Sequence, residues 1–98
     1  MRTVTRHAET RMKERCGFNK HSSERIAERA FERGYTHAQT KGKLNKWMTK
    51  LYFANERANN IRLYGDYAYI FCEKTLVTVI PIPNNLKRDL KSMIRRST

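Results

Sequence analysis

Four residues separate His7 from Arg11, and four more separate Arg11 from Arg15, in the stretch TVTRHAETRMKERCGF at residues 3–18. On a helix that spacing stacks the three side chains in one row. An imidazole titrates near neutral pH, so it suits an acid or base in catalysis. A guanidinium is a fork of donors that fits a phosphate. The row therefore suits phosphodiester chemistry, or the simpler task of attracting a polyanion. Beside it, Ala8, Met12 and Cys16 recur at the same four-residue step, the stripe that any amphipathic helix needs to pack on a core.

A second set of chemically able residues falls further on, where the apolar period changes from 3.6 to 2. NIRLY-GD-YAYIFC-EK-TLVTVIPIP, residues 60–83, predicts three strands joined by two-residue turns at Gly65-Asp66 and Glu73-Lys74. Such turns put Tyr64 opposite Tyr67, Arg62 opposite Tyr69, Cys72 opposite Thr75 and Ile70 opposite Val77. Alternation then gives one apolar face of Ile61, Leu63, Ala68, Ile70, Cys72, Val77 and Val79, the side expected to meet the helices. The other face carries Arg62, Tyr64, Tyr67, Tyr69 and Thr78, with Arg62, Tyr69 and Thr78 side by side across three strands. Tyrosine rings offer stacking surfaces for bases, and Arg62 offers donors for a phosphate. The same residue types are also simply good ones for a half-exposed sheet, and a one-residue slip in either hairpin scatters the trio.

The elements that must position these residues follow from caps and periodicity. A first helix begins near Thr5 or Arg6 and ends at Gly17. Asn19, Ser22 or Ser23 caps a second, SERIAERAFERG, with Ile26, Ala27, Ala30 and Phe31 on one side; the two read as a helical hairpin with a shared apolar seam. Residues 35–42 are expected to be irregular. A third helix is expected over KLNKWMTKLYFANERA, residues 43–58, on a stripe of Leu44, Trp47, Met48 and Leu51. Pro81 and Pro83 end the last strand, and NNLKRDLKSMIRRST forms a final helix on Leu86, Leu90, Met93 and Ile94. The order ααα-βββ-α is an α+β fold, N-terminal helices on a three-stranded antiparallel meander with a C-terminal helix, and residues 1–98 are expected to form one domain.

Charge narrows the partners. Lys and Arg number 21 against 9 Asp and Glu, a formal net charge of +12, which favours RNA, DNA or an acidic protein. The longest apolar run, LVTVIPIP, is too short for a bilayer and the N-terminus has no apolar signal region, so a cytoplasmic protein without membrane association is expected. Cys16 and Cys72 lack CxxC spacing and, with three scattered histidines, predict no structural zinc; neither a metal nor another cofactor is expected. Lys43, Lys46 and Lys50 are expected to form a basic flank that binds nucleic acid without specificity. His21 and His37 read as turn or loop residues, and Trp47 as core or a subunit contact.

The order of a helical pair followed by an antiparallel meander resembles the RelE-like and colicin-like small ribonucleases, the barnase–EndoU–colicin–RelE group. Within it, VTRHAETRMKER at residues 4–15 and LVTVIPIP at residues 76–83 are similar to the motifs of small phage and bacterial members. The resemblance implies metal-independent RNA cleavage of the toxin type, with a histidine or basic residue on the first helix and an arginine and a Ser, Thr or Tyr on the sheet. His7, Arg11, Arg62 and Thr78 match those positions, Tyr69 and Lys50 match them more loosely, and an acidic antitoxin or immunity-type partner would follow. Residues 41–57 depart from a minimal member and take no role from it.

Two kinds of function fit these residues. One is an endoribonuclease, in which a base takes the proton of the ribose 2′-hydroxyl, cations hold the phosphate, and an acid protonates the leaving 5′-oxygen. The other is a non-catalytic RNA- or DNA-binding module, or a phage-type inhibitor that occupies a partner's nucleic-acid site. Whether His7 shares a site with Arg62 separates them.

Overall fold

Thr5 starts the first helix: its hydroxyl accepts the Ala8 N–H at 3.1 Å, and α1 runs Arg6–Cys16 until Gly17, at φ 73°, turns the chain in the left-handed region that glycine tolerates. In the computed structural model, which describes residues 3–97, Asn19, the first of the three expected caps, starts α2 (Lys20–Arg33) by accepting the Ser22 N–H at 2.8 Å, which places the helix start three residues before SERIAERAFERG. A 3-10 turn at His37–Gln39 occupies the expected irregular segment, and α3 follows at Gly42–Ala54. Asn55 closes α3 by doubling up on one acceptor: its backbone N–H and its side-chain amide both donate to the Leu51 carbonyl, at 3.0 and 2.8 Å. Residues 55–58 are therefore a connecting loop and not helix. The meander is β1 (Asn60–Tyr64), β2 (Tyr67–Cys72) and β3 (Thr75–Pro81) in that spatial order, and α4 spans Asn84–Ser97. The fold is α+β, as expected.

Both faces of the sheet are covered, which the alternation did not suggest. On one face α3 and α4 bury Leu44, Met48, Leu51, Leu86 and Leu90 against Ile61, Leu63, Ala68 and Ile70. On the other, α1 and α2 bury Ala8, Met12, Ala27 and Ala30 against Tyr69, Phe71, Leu76 and Val79. The N-terminal pair is thus not a free hairpin with its own seam: α1 meets β3 more extensively than it meets α2. Phe71 is buried in this layer, edge-on to Phe31 with ring centroids 5.2 Å apart.

The register of the first hairpin is as expected, with Arg62 opposite Tyr69 and Tyr64 opposite Tyr67. The second begins as expected with Cys72 opposite Thr75, then shifts: Phe71 faces Leu76 but Ile70 faces Thr78, not Val77. The extra residue is a β-bulge. Beyond it the two faces of β3 exchange, so Val79 joins the α1–α2 side and Ile80 the α3–α4 side. Tyr69 consequently faces Val79, and the row Arg62–Tyr69–Thr78 does not exist.

Single bridges close both sheet edges. Residues 3–5 run parallel to β3, the Leu76 N–H donating to the Thr3 carbonyl and the Thr5 N–H to the Leu76 carbonyl, both at 2.9 Å. Tyr35 exchanges two hydrogen bonds with Leu63 of β1, at 2.8 and 2.9 Å. Among the described residues no helix is long and apolar enough to cross a membrane.

Candidate nucleic-acid site

Burial of Ala8 and Met12 on β3 turns the neighbouring row of α1 outward along the strand's edge. His7, Arg11 and Arg15 line one side of a groove of about 630 Å³. The bulge brings Thr78 into the same groove together with Val77 and Ile80, and the loop after α3 supplies the far wall with Glu56 and Arg57. Three guanidinium groups, one imidazole, one carboxylate and one hydroxyl thus converge on one concavity.

These side chains are not equally free. Arg15 donates through Nη1 to the Val79 carbonyl, so it occupies an outward-facing acceptor of the β3 edge. Its own carbonyl accepts from the Tyr67 hydroxyl at 3.0 Å. Thr5 assists at the same edge, its hydroxyl donating to the Val77 carbonyl at 3.3 Å. Arg11 pairs with Glu14 at 3.3 Å on the exposed helix surface, a contact worth about 0.3–0.5 kcal/mol and easily exchanged for a phosphate. Among the described residues, His7, Glu56 and Arg57 make no hydrogen bond or ion pair. Nearby, burial pushes the Cys16 thiol up, outweighing the Tyr67 hydrogen bond and the Arg15 charge; it is a neutral packing group and a poor nucleophile at neutral pH.

The other expected site residues lie elsewhere. Arg62 is clamped beneath the end of α2: it donates to the Phe31 carbonyl at 2.5 Å and to Asn60 at 2.8 Å, and its guanidinium lies 5.0 Å from the centroid of the Phe31 ring. It completes the carboxyl end of a helix, where a cation is favoured. Tyr69 is 3% exposed, and its burial among α1, α2 and the sheet pushes its hydroxyl far above the ordinary tyrosine range. A ring so enclosed cannot stack on a base. Tyr67 spends its hydroxyl on α1, and Tyr64 packs edge-on to Tyr69 with centroids 6.3 Å apart. The open tyrosine face expected from the alternation is therefore corrected to a second core layer.

Lys43 lines a different concavity with Gln39, Lys41 and α4, while Lys46 and Lys50 are exposed on α3. His21 is exposed; the His37 ring hydrogen-bonds the Thr49 hydroxyl at 2.8 Å and sits edge-on to Tyr52, fastening the 3-10 turn to α3. Trp47 packs against the α3–α4 core, and Cys16 and Cys72 are free thiols.

Glu56 and Arg57 lie in a stretch whose good helix formers read as a continuation of the third helix, whereas α3 ends at Ala54. The signal available was Asn55, a residue that commonly ends helices. Compared with protein-family models, curated proteins and solved structures, the chain has no match.

Proposed function

We propose that this chain is a nucleic-acid-directed basic protein that holds a single RNA strand in the groove beside β3 and cleaves it there without a metal. The observation that carries this proposal is the convergence of His7, Glu56, Arg11, Arg15, Arg57 and Thr78 on one concavity of a chain with net charge +12. In the reaction, a base takes the proton from the ribose 2′-hydroxyl and the 2′-oxygen forms a bond to phosphorus. The bond from phosphorus to the 5′-oxygen breaks, and an acid returns a proton to that oxygen. The products are a 2′,3′-cyclic phosphate and a 5′-hydroxyl. His7 and Glu56 are the groove's two proton-transfer groups. Arg57 and Arg11 neutralise the charge that gathers on the phosphate, and Thr78 orients it by hydrogen bonding.

Arginine supplies the counter-charge that a cation would otherwise bring to the phosphate. Phe53, 81% exposed and next to the groove-lining Ala54, serves as a stacking surface for a base leaving the groove. An exposed phenylalanine beside a basic groove has a use in RNA binding that it lacks in packing. The resemblance of VTRHAETRMKER to the RelE-like and colicin-like ribonucleases points the same way.

Binding without cleavage is the second function to weigh, because Arg15 is engaged by the Val79 carbonyl and Arg11 by Glu14. Incubating RNA with the purified chain in EDTA separates the two. Cleavage by the parent, lost in His7→Ala and Glu56→Gln while both still bind RNA, supports the nuclease. Salt-sensitive RNA binding that weakens in Arg57→Ala, with no cleavage by the parent, leaves the binding module. Absence of salt-sensitive binding to any nucleic acid overturns both.

A further inference from the structure

α3 is the helix without a carboxylate. Its residues, Gly42–Ala54, include three lysines and no Asp or Glu, whereas α1, α2 and α4 each hold at least one. Burial of Leu44, Met48 and Leu51 turns Lys43, Lys46, Lys50 and Phe53 outward, where all four are exposed. Lys43, Lys50 and Ala54 follow one another at seven and four residues and so stack in one row; Lys46 and Phe53, seven apart, form the row beside it. The first row ends at the β3 groove, because Ala54 is part of its lining and Arg57 follows in the loop.

The three ammonium groups are not neutralised: Lys43, Lys46 and Lys50 make no ion pair among the described residues. Phe53, at 81% exposure, is the large apolar side chain left in water among the described residues. From Ala54 back to Lys43 the helix runs about 16 Å at its rise of about 1.5 Å per residue. A stacked strand at about 3.4 Å per nucleotide covers that distance in about five nucleotides.

Cations spaced along a line suit phosphates in series, and a bare ring among them suits an unpaired base. A duplex would meet the lysines but keep its bases inside, away from Phe53. A protein partner fits less well, since lysine is depleted in protein interfaces. We propose that a single RNA strand leaving the β3 groove continues along the outer face of α3 for about five nucleotides, with one base on Phe53 and successive phosphates on Lys50, Lys46 and Lys43. The path rests on the reading of the β3 groove as an RNA site and adds a length requirement to it: short oligonucleotides fill the groove alone, and longer ones also bind α3.

Fluorescence anisotropy of the intact chain with single-stranded 2′-O-methyl oligouridylates of three and ten nucleotides tests it; these lack the 2′-hydroxyl that cleavage needs. The ten-mer is expected to bind at least about tenfold more tightly than the three-mer. The triple variant Lys43→Gln/Lys46→Gln/Lys50→Gln is expected to remove that gain and to leave the three-mer unmoved. It should also lower the ten-mer's slope of log affinity against log salt by about 2, the share of three phosphate contacts. Phe53→Leu is expected to weaken the ten-mer by about tenfold and to leave the three-mer unmoved. All four substituted side chains are exposed, so the fold is expected to persist in both variants. Arg57→Ala reports on the groove separately. If it weakens both lengths while the ten-mer is unmoved in the lysine variant, the groove stands and the path along α3 is overturned. If the lysine variant loses the length gain while Arg57→Ala moves neither length, the path stands and the groove is overturned. A duplex ten-mer bound as tightly as the single strand, or poly-glutamate bound as tightly as the ten-mer, would also overturn the path, the second in favour of an acidic protein.

Discussion

At the β1 edge Tyr35 supplies one bridge to Leu63, and at the β3 edge Val4 supplies one to Leu76. Each bridge blunts an edge that would otherwise pair with another chain. Arginines then finish the two edges in different ways. Arg62 on β1 turns inward and spends its donors on the Phe31 carbonyl and Asn60, and the approach there is so close that Gly34 has no room for a side chain. At β3, Arg15 gives one nitrogen to the Val79 carbonyl, while Arg11 and Arg57 remain at the surface beside an open groove. Residue type did not decide this. What decided it was whether a helix end lay overhead with a carbonyl to satisfy.

The largest effect that sharpens the contrast is expected at His7. Its replacement by alanine should lower RNA cleavage by about 10²–10⁴-fold, the usual range for an acid or base. It should leave the unfolding free energy from urea denaturation within about 0.5 kcal/mol of the parent, because His7 is exposed and its side chain makes no hydrogen bond or ion pair among the described residues. A variant that lost stability instead would make the β3 edge structural like β1.

Gly34→Ala probes the closed edge next. A Cβ there would lie 2.4 Å from the Ala30 carbonyl oxygen and 2.7 Å from the Arg62 Cβ, and neither neighbour is a flexible chain end. With φ at −67° the cost is purely steric. We expect a loss of about 3 kcal/mol in urea denaturation, as for severe overpacking. Arg62→Ala follows at about 2 kcal/mol, since it removes a donor from the Phe31 carbonyl and the contact with the Phe31 ring. Its RNA affinity should match the parent's once both are folded. Weakened RNA binding in a fully folded Arg62→Ala would restore Arg62 to the nucleic-acid surface and break the comparison.

Tyr69, between the two edges, ties the closed face to pH. Folding raises its hydroxyl above the ordinary value of 10.0, chiefly by burial. Below that value both folded and unfolded chains carry the proton and its contribution is complete. Above pH 10 the unfolded chain releases the proton while the folded one keeps it, so stability falls as pH rises. The slope from this one group is at most about 1.4 kcal/mol per pH unit. Comparing the parent with Tyr69→Phe in denaturation curves between pH 9 and 11 isolates it; equal slopes would mean that the tyrosine face is open after all.

Much of the fold could be read from local signals, and the site only in part. Thr5, the Ala8–Met12 stripe and Gly17 define α1, and Gly65-Asp66 sets the first hairpin, because each acts through its nearest neighbours. The bulge in β3 left no such trace. TLVTVIP is apolar on both sides because both sheet faces are covered, so alternation could not report where one residue was inserted. That bulge removed Thr78 from Arg62 and delivered it to His7. The fate of Arg62 was equally hidden, since its acceptor lies 31 residues away in sequence. Arg57 was lost for a simpler reason: NERA has good helix formers, and only the capping by Asn55 excludes it from α3.

The smallest effects divide the arginines within the groove itself. Arg57 makes no hydrogen bond or ion pair among the described residues, so Arg57→Ala should leave stability unchanged. In single-stranded RNA binding it should reduce the slope of log affinity against log salt by about 0.7, the share of one phosphate contact. Arg15→Ala should do both things at once. The slope falls by a similar amount, and the Val79 carbonyl loses its donor at a cost of about 1 kcal/mol. Salt titrations and urea curves on the same three proteins therefore give a two-by-two outcome. A stability loss in Arg15→Ala without a change of slope would assign that guanidinium wholly to the strand edge, as Arg62 is assigned at the other, and would leave Arg11 and Arg57 as the groove's working cations.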